Sequence, residues 1–434
     1  MRLFKTFDEA LSWINGRLKF GVKPGLERME WLLRKLGHPE KKLNAVHVAG
    51  TNGKGSTIAF LRSVLNEAGY TAGTFTSPYI ITFNERISVD GVPISDEEWT
   101  ALFNEVGPLV LELEKTEFGA ATEFEIITAC AFLYFAKYRS TDFVIFETGL
   151  GGRLDSTNVV KPMLTVITSI GHDHTAILGS TLKEIAAEKA GIIKRGVPVI
   201  TAVHQHEAAE VIKQKAMETE SAFISLHEDC ELYGERSLPD GEQFSLKTPL
   251  HHYERIETSL IGTHQRQNAS LAILAAEWLT AEKHAAIGEE ELKRGIRNAG
   301  WPGRFEKVLN RPLVYIDGAH NKEGVERLAE TITSHFDGRN IHVCFSALKD
   351  KPYRDMIRKI ESFASSIHFT SFDFPRAESA QKLFEQSTAD HKTFDEDIGS
   401  VFRHIEEQAE DEKAVVVITG SLYFISAVRA ALTE

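Results

Sequence analysis

The chain has 434 residues, beyond the roughly 250–300 at which one hydrophobic core stops growing, so two domains are expected. Its composition, 42% hydrophobic and 26% charged, is that of a globular protein, and a net charge of −13 argues against nucleic acid or an anionic membrane surface as main partner. Three scattered cysteines, Cys130, Cys230 and Cys344, make neither a disulfide framework nor a metal pattern; with no signal peptide and no apolar run near the ~20 residues that span a bilayer, a cytoplasmic protein is expected.

In chain order, the spacing predicts helices over TFDEALSWIN and GLERMEWLLRKLG, the second stopping before Pro39. Ala45–Ala49 reads as a strand, broken at Gly50, before a helix whose apolar residues recur from Ile58. Thr71–Ser77 reads as a strand, Asp96–Lys115 and Thr122–Tyr138 as helices, and Asp142–Glu147 and Met163–Ile170 as buried strands. Thr181–Lys194 reads as a helix, Val197–Val203 as a strand and Glu207–Thr219 as a helix. Residues 222–258, with short β-like pieces and the turn signal PDGEQ, read as a small antiparallel excursion. Helices over 268–283 and 288–298 close a first domain, 1–298, and NAGWPGRFE (298–306) is a candidate hinge. The second domain, 299–434, restarts with LVYIDG, a helix from Lys322, the strand IHVCFSA, helix 352–363, the strand SIHFTSF, helix 394–409, the strand AVVVITG and a final helix. The fold class is α/β: a mainly parallel sheet with helices on both faces, then a smaller Rossmann-like α/β domain.

The chemistry begins at AVHVAGTNGKGST, Ala45–Thr57. A strand, a loop of small residues (Gly50, Thr51, Asn52, Gly53) and a helix N-terminus bearing Lys54 make an anion site, where loop N–H groups, the helix dipole and a full charge converge. Ser56 is placed to hold Mg2+ on a nucleoside triphosphate. The usual phosphate loop reads GxxxxGK[ST]; here Gly55 separates lysine from serine.

Ligands of parallel sheets bind at the carboxyl ends of the strands, which collects Lys54, Ser56, Ser77, Glu147, His172, Asp173 and His174. Glu147, ending an apolar strand, is either a magnesium handle or a turn cap. Asp173 and His174 are either ligands or loop hydrogen-bonders. Arg153, beside Gly149, Gly151 and Gly152, is a cation for an anionic ligand or a solvated turn arginine. Lys189 reads as a partly buried lysine paired to Glu188. Asp317 is placed to reach a ribose hydroxyl, with His320 close by and Arg304 placed to cover phosphates; helix caps and linker salt bridges are the alternative.

The motifs GTNGKGS (50–56), TSP (76–78), NERI (84–87), FE (124–125), ETGLGGRLDSTN (147–158), GHDHTAILGSTLKEIAAEKAGIIK (171–194), LIGTHQRQNA (260–269), GRFE (303–306), DGAHN (317–321) and ITGSLYF (418–424) resemble, in one order, those of the folylpolyglutamate synthases, often bifunctional with dihydrofolate synthase, in the Mur ligase superfamily. Gly55 is similar to the folate branch, since cell-wall ligases usually lack it; Tyr79 departs from the usual histidine after Ser-Pro. The resemblance implies a cytoplasmic, monomeric ligase that uses ATP to phosphorylate a folate or dihydropteroate carboxylate and joins L-glutamate to it. It implies two Mg2+ sites held by Ser77, Glu147 and His174 with Ser56 beside them, and a carbamylated Lys189 at the second; Lys54, Lys189 and His174 would be catalytic. It places ATP on Gly50–Ser56, Asn268, Arg304 and Asp317 with His320 nearby, folate on Phe124, Glu125, Arg153 and Asp155, and glutamate near Ser346, Lys349 and Lys351.

Two other readings use the same residues. A cell-wall Mur ligase would normally carry an extra N-terminal domain for a UDP group, for which 50 residues leave little room. A P-loop switch has no need of a second, amine-binding lobe.

Overall fold

The computed structural model describes residues 3–21 and 23–433. Met1, Arg2, Val22 and Glu434, which the two expected domains include, lie outside the described residues. Seventeen strands are present among the described residues. Those of the first sheet are β1 (Ala45–Ala49), β2 (Ala72–Phe75), β3 (Ile87–Val89), β4 (Val92–Pro93), β5 (Phe143–Glu147), β6 (Leu164–Ile167), β7 (Val199–Thr201) and β8 (Phe223–Ser225). They lie in the order β4-β3-β2-β5-β1-β6-β7-β8. β2, β5, β1, β6, β7 and β8 run parallel, and β3 and β4 add an antiparallel edge.

Every residue of β1, β5 and β6 is buried. That is why these segments read as continuous apolar runs: a parallel strand covered on both faces has no polar side to alternate with. Ala49 pairs with Ile167 and Val48 with Glu147, so the ends of β6 and β5 flank the end of β1. From β1 the chain passes to β2 on one side and, after β5, to β6 on the other. The carboxyl end of β1 is therefore where the connections reverse, the place where sheets of this kind bind their ligands.

Helices cover both faces. Phe7–Asn15, Glu27–Lys35, Asp96–Leu113 and Glu123–Leu133 pack with β2 and β5 in one core around Trp99, Phe103, Phe132 and Phe146. Leu182–Ala190 and His206–Glu218 pack beside the ends of β1, β6 and β7 around Ile185, Ile192 and Ile212. Asp96–Leu113, Glu123–Leu133 and Leu182–Ala190 each start with a reciprocal capping box, Ser95/Glu98, Thr122/Glu125 and Thr181/Glu184. The helix at Thr122 passes into a π turn over Tyr134–Tyr138, and that at Thr181 ends at Ala190 rather than Lys194.

β9 (Glu231–Leu238), β10 (Gly241–Lys247) and β11 (His252–Thr258) form a separate sheet, followed by the helices His264–Ala281 and Glu289–Asn298. The last sheet comprises β12 (Glu306–Asn310), β13 (Leu313–Asp317), β14 (Asn340–Phe345), β15 (Ser366–Thr370), β16 (Lys392–Asp395) and β17 (Ala414–Thr419), in the order β12-β13-β17-β14-β15-β16. All its pairs are parallel except β12–β13. Residues 394 and 395, expected to begin a helix over 394–409, belong to strand β16, and that helix begins at Ser400. The helix Ala380–Gln386 and the strands β3, β4 and β12 have no counterpart in the sequence reading.

The chain divides into two compact units. One holds residues 1–231, 246–253 and 268–296, and the other 232–245, 254–267 and 297–434. Segments 232–245 and 254–267, placed in the first domain by sequence, group with the second unit.

Candidate active site

The site is built on the loop that follows β1. Gly50 has room for no side chain, since a Cβ there would collide with Thr168 Oγ1. Gly53 starts the helix Lys54–Glu67 with φ 88°, and its Cα faces the side-chain oxygen Oδ1 of Asn268, against which a Cβ would also collide. Thr51 donates its N–H to the Ser169 carbonyl at 2.9 Å, and its hydroxyl accepts the Gly171 N–H at 2.9 Å. The first helical turn, Lys54-Gly55-Ser56, thus presents its orphan N–H groups at a fixed place.

The Lys54 amine donates to the carbonyls of Gly50 at 3.0 Å and Thr51 at 3.4 Å, and lies 3.8 Å from Glu147 Oε1. Glu147 ends β5, is 5% exposed, and accepts the Ser77 N–H on Oε2 at 3.0 Å. Three residues far apart in sequence, Lys54, Ser77 and Glu147, therefore meet around one buried carboxylate. Ser56 is buried one turn into the helix.

Lys189 is 4% exposed. Burial, then the Lys54 charge, pushes its amine down to about 7, against the opposing pull of Asp173 and Asp155. Its expected pairing with Glu188 is not formed: Glu188 Oε1 accepts Arg153 instead, from Nη2 at 2.7 Å and Nε at 3.1 Å. Neighbours on a helix point about 100° apart, so Glu188 faces outward where Lys189 faces in. His174 is exposed, has a left-handed backbone (φ 50°), and donates its N–H to Asp173 Oδ1 at 2.8 Å.

The donor set suits magnesium better than zinc. Among the described residues no three or more His, Cys, Asp or Glu side chains gather as a metal cage. One carboxylate, Glu147, with the hydroxyl residues Ser56 and Ser77 would be the sparse oxygen set of an ion that takes its remaining ligands from water and phosphate. As an amine Lys189 is no ligand for such an ion; as a carbamate it would be.

Of the four residues matched to folate, two have carboxylates committed inside the protein. Glu125 closes the capping box with Thr122 and accepts Arg28 Nε at 2.7 Å. Asp155 accepts the N–H groups of Leu150 at 2.7 Å and Thr157 at 3.0 Å, and burial raises its carboxyl. Phe124 packs on Phe75 and against Gly149, and Arg153 is the exposed partner of Glu188. Tyr79 packs edge-on against Phe83, with the Arg86 guanidinium 5.3 Å from its ring.

In the second unit, Asp317 ends β13 and accepts the N–H groups of Ala319 at 2.9 Å and Phe305 at 3.0 Å. Burial raises it, while Arg304 and those two bonds pull the other way. Arg304 sits against Gly318, and His320 Nδ1 lies 2.7 Å from the Gly318 carbonyl. Ser346 is buried with its hydroxyl unpartnered, whereas Lys349 is exposed and Lys351 half-buried. Sequence reasoning missed Thr168, Ser169 and Gly171, which follow β6 and bond to the phosphate loop; only the pairing of β6 with β1 would have pointed to them.

The Mur ligase middle domain family matches residues 48–276, and the Mur ligase glutamate ligase domain family matches 303–422. Dihydrofolate synthase/folylpolyglutamate synthase of Bacillus subtilis is 62% identical over 430 residues, covering 99% of this chain and 100% of that one. The chain belongs to the folylpolyglutamate synthase branch of the Mur ligase family. Within that family, the Mycobacterium tuberculosis folylpolyglutamate synthase solved with ADP and AMPPCP matches with a TM-score of 0.90 at 29% identity, over 99% of each chain. A folylpolyglutamate synthase complex with AMPPCP and folate matches with a TM-score of 0.86 at 31% identity, over 99% of this chain and 100% of the other.

Proposed function

We propose that this member of the family is an ATP-dependent ligase that joins L-glutamate to folates and to dihydropteroate. The observation that carries the reading is the meeting of Lys54, Ser77 and Glu147 beside a phosphate loop at the carboxyl ends of β1, β2 and β5.

A substrate carboxylate oxygen attacks the γ-phosphorus of ATP; its bond to the β–γ bridging oxygen breaks, leaving ADP and an acyl phosphate. The neutral amine of glutamate then attacks the acyl carbon, an amide forms, and phosphate departs with one proton released. The loop N–H groups from Gly50 to Ser56 hold the triphosphate, and Lys54 sets a positive charge where negative charge accumulates on the departing oxygens. Ser77, Glu147 and His174, with Ser56 beside them and a carbamate on Lys189 at a second position, would hold magnesium, which would supply charge neutralisation when bound. A Lys189 amine held at about 7 is substantially neutral at physiological pH and open to carbon dioxide, releasing a proton as the carbamate forms. Asn268, Arg304, Asp317 and His320 complete the ATP set, Phe124, Glu125, Arg153 and Asp155 shape the folate pocket, and Ser346, Lys349 and Lys351 receive glutamate. In this reading 1–298 is the ATP-binding domain, 299–434 the glutamate-binding domain, and the enzyme is a cytoplasmic monomer; no described helix is long and apolar enough to cross a membrane.

The test is phosphate release with each substrate omitted in turn. Release that requires ATP, glutamate and either tetrahydrofolate or dihydropteroate is expected, and equal release with ATP alone would end the proposal.

A further inference from the structure

We infer that Ser169, with Thr168, is a positioning residue for nucleotide binding: their two hydroxyls clamp the backbone of Asn52 and thereby aim the N–H groups of the phosphate loop. The inference rests on the ATP reading above. Asn52 is held at both of its backbone polar groups. Its N–H donates to Ser169 Oγ at 3.0 Å, and its carbonyl accepts the Ser169 hydroxyl at 2.9 Å and the Thr168 hydroxyl at 2.6 Å. A serine hydroxyl donates one hydrogen, so the Ser169 side chain gives that donor to the Asn52 carbonyl while accepting from the N–H of the same residue. The two hydroxyls fill both lone-pair positions of the Asn52 carbonyl.

A trans peptide is planar, with its C=O and N–H on opposite sides. Turning the Asn52 carbonyl toward the end of β6 therefore turns the Gly53 N–H the other way, and Gly53 is the residue that starts the helix Lys54–Glu67. The clamp is close-fitting, since Thr168 Oγ1 occupies the place of a Cβ on Gly50, and Thr168 is 4% exposed. It is also continuous with the Thr51 bonds to Ser169 and Gly171, so three consecutive loop residues, Gly50 to Asn52, are shaped by 168–171. Glycines make this loop pliable, and the Lys54 amine reaches back only to the carbonyls of Gly50 and Thr51, leaving the Asn52 peptide to the hydroxyls of Thr168 and Ser169. The hydroxyls that follow β6 supply that preorganisation.

Purified Ser169→Ala, Ser169→Thr and Thr168→Val are compared with wild type in thermal melts, in KM for ATP, folate and glutamate, and in ATP affinity by calorimetry. Ser169→Ala is expected to raise both KM and Kd for ATP about tenfold, leaving the other two KM values within twofold. Ser169→Thr, which keeps the hydroxyl, is expected to stay within twofold of wild type throughout. Unchanged ATP affinity in folded Ser169→Ala overturns the proposal, and so does a loss in Ser169→Thr as large as in alanine. A parallel rise of all three KM values with a lowered melting temperature would mark mere bracing of the sheet and overturns it as well. Should Ser169→Ala not fold, Thr168→Val, which keeps the side-chain shape and removes one donor to Asn52, must weaken ATP at least threefold or the proposal fails. Wild-type protein that binds no ATP overturns both this inference and the reading beneath it.

Discussion

Lys189 in the first unit and Glu242 in the second are both withdrawn from solvent, at 4% and 0% exposure, yet they are treated in opposite ways. Around Glu242 the partners are complete: its carboxylate accepts Arg266 Nη2 at 2.6 Å and Nε at 3.0 Å, the Gly262 N–H at 2.9 Å, and the Ser237 hydroxyl at 3.1 Å, with His335 Nε2 at 3.2 Å. Burial works to raise its pKa, but His335 and Arg266 outweigh burial, and the group stays ionised. Lys189 has another cation, Lys54, acting on it, and burial with that repulsion brings its amine to about 7. A buried charge with a full set of partners is a strut, whereas one left short of them is poised to change its chemistry.

The contrast can be broken by substitution. The largest effect is expected at the charges that face the phosphates. Lys54→Ala or Glu147→Gln should lower kcat/KM by about a thousandfold or more, since each removes charge stabilisation or its metal handle, with the melting temperature nearly unchanged. A comparable loss of stability instead would move these residues into the class of Glu242.

Lys189→Met should abolish ligase activity and yet stabilise the protein by several kcal/mol at pH 7, because a buried charge is exchanged for an apolar chain. The sign follows from a folded pKa below the unfolded one. The cost of burying the ammonium is greatest below about pH 7 and shrinks as pH rises toward 10, where the unfolded amine is losing its proton as well. Denaturant melts of both proteins at pH 7 and pH 9.5 should show the methionine advantage narrowing.

Glu242→Gln leaves Arg266 buried beside a neutral amide and should cost about 3 kcal/mol in denaturant unfolding, with KM for ATP little changed in protein that remains folded. The smallest effect is expected for His335→Gln, about 1 kcal/mol. Burial opposes the His335 cation, but the Glu242 bond outweighs it, so the folded pKa lies above the ordinary value. Its contribution is therefore full below pH 6 and lost as pH rises through the raised folded pKa; melts at pH 5.5 and pH 8.5 should differ accordingly.

These two centres also mark how much was readable in the chain. The strand-loop-helix at Gly50 and the acid closing β5 were legible because buried parallel strands read as unbroken apolar runs and glycine marks the loop. The edge strands β4, β12 and β16 were not, since each is only two to five residues long and none is buried on either face strongly enough to mark a pattern. Glu242 and Arg266 carry no local signal, being 24 residues apart. Lys189 was seen but given the wrong partner, because adjacency in sequence is not adjacency on a helix. Ser169 was invisible for a related reason: its role exists only once β6 lies beside β1.

That pairing has a consequence for synthesis. The phosphate loop, complete as a motif by residue 56, is shaped by hydroxyls 116 and 117 positions downstream of Asn52, and the acid beside its lysine lies on β5. A chain emerging from the ribosome carries the loop long before it carries the strands that give it form. Nucleotide therefore has no organised cradle on the nascent protein, and ATP acts as a reporter of finished architecture rather than a template for it.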